Sequence, residues 1–274
     1  MNPPRTSLVF SRTPYSERTL EIIAIDTLRR HESLLPKRPA PIPIDRLVEE
    51  MFGFNETYER LERGVLGEIY FGIEERPIAI RLARRLGNLR SSARGLEQER
   101  RGTLAHECGH GIAHSKLFAD SLRRERAPLL RGFADGQTHI ACRERDLAAG
   151  SVRPAANSAA EIWLEWEANY LMGALLLPRH LVLQLLGPWI AGASDGIAPR
   201  YLPPRRQQTA IVTMSNTFDV AFDLAARRLT VLIPASRHPD FFEPAAIRSV
   251  RPQRGARPRS PQRRRNEKAK IWSR

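Results

Sequence analysis

The chain has 274 residues, 42% of them hydrophobic, a formal net charge of +14 and two cysteines. That length suits one catalytic core with appended helices, and two cysteines exclude a disulfide-built scaffold and favour a reducing compartment. No stretch approaches the roughly 18 uninterrupted apolar residues of a membrane span and the N-terminus lacks the pattern of a secretory leader, so the expectation is a cytoplasmic protein with no membrane partner.

In chain order, residues 1–15 are expected to be a flexible lead. Ser16 can cap a helix over 17–35, in which Leu20, Ile23, Ile25 and Leu28 supply apolar positions. The proline-rich KRPAPIPI then breaks it, because each proline removes a donor and restrains its predecessor. Asp45 is expected to cap a short helix over 46–52 that Gly53 ends. Two β-like runs, 65–71 and 77–82, flank the turn-prone 72–76 and should pair. A helix is predicted over 95–114. The connection 115–159 carries scattered glycines, prolines and charges, with short strands expected around 132–133 and 138–142. Helices return at 160–177, ending at Pro178, and at 179–186. Residues 192–204 read as loop, followed by helices over 209–216 and 220–229 and a strand-like 230–233. The end of the chain is charged: residues 251–274 hold ten Lys or Arg against the single acid Glu267, which leaves only +5 for everything before them. Such a segment has too little apolar surface to offset its ordering entropy, so 247–274 is expected to be a basic disordered tail. Its charge alone would allow non-specific contact with nucleic acid.

The chemistry concentrates in His106-Glu107-Cys108-Gly109-His110. Two histidines four apart project from one face of a helix, the geometry that suits one tetrahedral zinc ion with a third protein ligand and an open position for water. Zinc lowers the pKa of that water to about 7. Glu107, beside the first ligand, is then the catalytic general base and not itself a ligand. Gly109 inside the motif costs about 1 kcal/mol of helix propensity, which signals another element passing close by. The third ligand is expected from the 160–177 helix. Glu165 shares a face with Asn169, a pairing in which the carboxylate binds metal and the amide orients a ligand histidine. Glu165 is therefore preferred, with Glu167, displaced by about 200°, as the alternative. His114 reads as a packing or supporting residue and Cys108 as a small buried hydrophobe. Cys142 and His139 are candidates for a cleft wall, and Trp163 and Trp166 are expected to anchor their helix.

On TLAHECGHGIAH and EWEANYLMGALLLPR, supported by PIPIDRLVEEMFG, GVLGEIYFG, PIAIRL and NTFDVAFDLAARRLTVL, the chain resembles the ImmA/IrrE family of metallopeptidases over residues 16–232. The resemblance implies an α+β fold with a zincin-like core, a small sheet with an active-site helix and a ligand helix, and a C-terminal helical element. Domain bounds follow: 16–190 for the metallopeptidase domain, 115–159 within it as an inserted lobe, and 191–246 as a C-terminal helical subdomain. It implies that His106, His110 and a Glu of EWEAN hold one Zn2+, that Glu107 is catalytic, and that the partner is a helix-turn-helix transcriptional repressor. The interval between His110 and Glu165 is long for the family, and Arg81 stands where relatives often carry Asn. A second reading, of another class, is a DNA-associated regulatory protein in which 218–229 and the tail contact nucleic acid and the metal site is secondary.

Overall fold

The structure, a computed structural model, describes residues 13–87, 94–129, 138–144, 153–156, 158–190 and 201–233. The expectations for 1–12, 132–133, 192–200 and 247–274 lie outside those residues. The fold is mixed α+β, with a four-stranded sheet and seven α-helices among the described residues.

Helix α1 (Glu17–Arg30) starts where Ser16 Oγ accepts the Thr19 amide at 3.1 Å, which satisfies one of the donors a helix start leaves unpaired. It stops at Arg30, short of the expected 35, and a 3-10 turn, Glu32–Leu34, follows. Helix α2 (Ile44–Phe52) ends at Gly53, whose φ of 79° lies in the left-handed region open to glycine. Its start departs from expectation. Pro43 is the cap residue and Asp45 caps nothing, because Arg100 from another helix takes both oxygens of the Asp45 carboxylate.

The sheet has strand order β1-β3-β2-β4. Strands β2 (Val65–Phe71) and β3 (Pro77–Ala83) pair antiparallel, with Ile69 opposite Ile80. Strand β4 (Thr138–Arg143) adds antiparallel to β2, and the three-residue β1 (Thr57–Glu59) adds parallel to β3. Alternation along β2 sends Gly67, Ile69 and Phe71 to one face and Glu68 and Tyr70 to the other. Against the first face lies α3 (Arg94–Leu129), with Phe118 stacked on Phe71 at 4.5 Å and Leu104 and Cys108 in the same core. The helix runs fifteen residues beyond the predicted end at 114. The stretch read as a connecting lobe, 115–159, thus supplies the end of α3 and the strand β4.

Helix α4 (Ala160–Leu176) crosses α3, and α1 lies on α4 through Leu20 and Ala24 against Trp163, Trp166 and Ala174. A break at Leu177-Pro178 leads into α5 (Arg179–Leu186). Helices α6 (Pro204–Phe218) and α7 (Phe222–Leu232) form a hairpin whose turn residue, Asp219, is left-handed at φ 50°. The strand expected at 230–233 does not form. Leu229 and Leu232 pack into the core as successive turns of α7, and that burial outweighs the β preference of Thr230 and Val231. Among the described residues no single helix is long and apolar enough to cross a membrane.

Candidate metal centre

Helix α3 presents His106 and His110 one turn apart toward α4, and both rings are fully buried. Their Nε2 atoms are 3.0 Å apart. From α4, Glu165 brings Oε2 to 3.2 Å from His106 Nε2 and Oε1 to 3.5 Å from His110 Nε2. Ligand atoms about 2.0–2.1 Å from one tetrahedral ion stand roughly 3.3 Å apart, so this triangle has the dimensions of a site for one such ion. The donor set, two imidazoles and a carboxylate, suits zinc. Glu165 Oε2, though buried, accepts no hydrogen bond, an orphaned acceptor of the kind that calls for a cation.

The electrostatics point the same way. Burial pushes the His110 pKa below the ordinary histidine value, which favours the neutral ring a metal needs. Burial alone would raise the Glu165 carboxyl, yet the His110 and His106 rings beside it hold it below the usual carboxylate range.

The helices can approach this closely because Gly109 faces α4. A Cβ there would sit 2.8 Å from the Ala168 carbonyl oxygen, so the glycine in the motif answers to the close crossing its presence signals. Asn169, one turn beyond Glu165, places Oδ1 3.2 Å from His106 Nδ1. This is the ring-orienting contact expected from its position. Glu167 lies away from the triangle, against His114 at 2.8 Å.

Glu107 is the second notable carboxyl. It is fully buried, and neither oxygen accepts a well-formed hydrogen bond. Burial, then the charges of Glu165 and Glu68, push its pKa well above the ordinary value, and the Cys142 backbone offsets little of this. Gly67 of β2 makes the space: a Cβ there would meet Glu107 Oε1 at 2.6 Å and Thr103 Cγ2 at 2.8 Å. A lone glycine within a strand pattern is the signal that could have found it.

Other expectations separate. Cys142 pairs with Gly67 and lies buried on the α3 side, whereas His139 stacks on Tyr70 at 5.1 Å on the opposite sheet face. Arg81 lies on that same far face, over the Tyr70 ring at 4.4 Å and 3.4 Å from Glu59. Cys108 is buried, which pushes its thiol up to about 12, and it packs as core. Trp163 and Trp166 meet edge to face at 5.6 Å between α1 and α4.

Set beside known proteins, the sequence matches no family model and no curated protein. Among solved structures, a Mycobacterium tuberculosis transcriptional regulator is similar at 15% identity and a TM-score of 0.41 over 80% of this chain. The match spans 57% of that protein's chain.

Proposed function

We propose that this protein is a zinc-dependent endopeptidase of the ImmA/IrrE type, with a zincin-like core, acting in the cytoplasm on a helix-turn-helix repressor. The observation that carries the reading is the meeting of His106, His110 and Glu165 from two helices beside the buried carboxyl of Glu107.

His106 and His110 through Nε2 and Glu165 through its carboxylate would hold one zinc ion, with Asn169 orienting His106. Bound there, zinc would supply Lewis acidity toward a peptide carbonyl and lower the pKa of an attacking water. Glu107 supplies the proton chemistry. Its unpartnered oxygens, in a site that disfavours the charged form, suit it to take a proton from water and hand it to the departing amine. Burial raises its pKa above that of an ordinary carboxylate, the direction that strengthens a carboxylate as a base. The missing Cβ of Gly67 leaves the space that Glu107 Oε1 occupies.

The substrate class rests on the paired motifs TLAHECGHGIAH and EWEANYLMGALLLPR, through the resemblance they carry. Replacing Glu107 by Gln tests the reading. The variant should retain zinc and fold while cleavage of a repressor substrate, followed by mass spectrometry, is lost. Undiminished cleavage would refute the proposal.

A further inference from the structure

The proposed chemistry uses two of the three histidines at helical spacing on α3 and leaves His114 unassigned. That ring is fully buried, with Nδ1 3.0 Å from His110 Nδ1 and Nε2 2.8 Å from Glu167 Oε2. Glu167 is likewise fully buried, and its other oxygen accepts the backbone amide of Tyr15 at 2.6 Å. A continuous hydrogen-bonded line therefore runs from the segment ahead of α1, through a carboxylate and an imidazole, to the one nitrogen of His110 that faces away from Glu165.

In the tautomer of His114 that donates from Nε2 to Glu167, Nδ1 presents a lone pair to His110. The hydrogen between the two rings then belongs to His110 Nδ1. This leaves the His110 Nε2 lone pair directed at His106 Nε2 and Glu165. We infer that Glu167 and His114 form a positioning pair that holds His110 in its metal-binding tautomer, with the Tyr15 amide as the outer anchor. The inference rests on the metal-site reading of His106, His110 and Glu165. His106 is held from α4 directly, by Asn169. The His110 ring, one turn further on, is held from the same helix through an inserted imidazole.

The test uses the full chain and Zn2+ alone, measuring affinity by chelator competition alongside melting of the metal-free protein. Loss of an outer-shell partner of this kind weakens metal binding by about 10–100-fold. His114→Phe, which fills the space without an acceptor, should show that loss. His114→Gln, which can accept from His110 and donate to Glu167, should stay within a few-fold of wild type. Glu167→Gln should fall between them. In the zinc-loaded wild type, nitrogen NMR should find the His110 proton on Nδ1 in a hydrogen-bonded, exchange-protected signal that His114→Phe loses. Wild-type affinity in His114→Phe would overturn the inference, as would equal weakening by Phe and Gln in step with a lower melting temperature. Should the Phe variant not fold, wild-type affinity in folded Glu167→Gln overturns it instead. A wild-type protein that binds no Zn2+ would overturn both the inference and the reading beneath it.

Discussion

Gly67 shows how a single absent methyl group can matter to the proposed chemistry. Its missing Cβ is the space that Glu107 Oε1 fills, so Gly67→Ala must displace a carboxylate that has no hydrogen bond to hold it elsewhere. Displacement by a fraction of an ångström is costly for a group that must meet a water at hydrogen-bond distance. The expected result is a fall in cleavage rate of about 10–100-fold with zinc content unchanged, read by steady-state kinetics beside metal analysis. At this scale much of the candidate site was legible in the sequence. The two histidines and Glu107 are fixed by local helical geometry, and the same geometry separates Glu165, which meets them, from Glu167, which meets His114. Gly67 left only the mark of a lone glycine in a strand and Tyr15 left none, because what each touches is decided by tertiary contacts.

At the scale of elements, the crossing of α3 and α4 brings the three proposed ligands together, and Gly109 sets how close it is. An alanine there would press on the Ala168 backbone at 2.8 Å, and backbone cannot give way as a side chain can. Overpacking of this kind costs about 1–3 kcal/mol, more than the roughly 1 kcal/mol gained from alanine's helix propensity. Gly109→Ala should therefore lower the denaturant midpoint of the metal-free protein. Gly102→Ala on the same helix, where a Cβ meets nothing within 4 Å, should not. Element type was readable wherever periodicity and punctuation agreed, as in β2, β3 and the Gly53 stop of α2. It failed where long-range partners decide. Strand β1 is three exposed residues defined only by pairing with β3. Asp45 looks like a cap until Arg100 arrives from fifty-five residues away. The far half of α3 was hidden by its charged composition.

Across the molecule, a buried ion pair joins α1 to α7. Arg228 of α7 donates to both oxygens of Glu21 on α1, at 2.8 and 2.9 Å, and its Nε donates to the Leu177 carbonyl at the end of α4. Burial alone would raise the Glu21 carboxyl, but Arg228 holds it below its ordinary pKa. A depressed folded-state pKa adds stability that is present above the unfolded value and is lost as pH falls through the folded one. Breaking such a pair leaves a buried charge and costs about 3 kcal/mol. Glu21→Gln should thus lower unfolding free energy by roughly that amount near neutrality, and the gap to wild type should narrow as pH falls below the ordinary glutamate pKa of about 4.3. A gap that is constant with pH would assign the effect to packing.

The proposed activity depends on His106, His110 and Glu165 sharing one cation, and the zinc content of the purified protein tests that most directly. The prediction is about one zinc ion per chain in wild type, lost in Glu165→Ala and retained in larger part in Glu167→Ala, as expected of a direct ligand against a supporting residue. A wild type that takes up no zinc, or a Glu165→Ala variant that binds it as fully as wild type, would contradict the account.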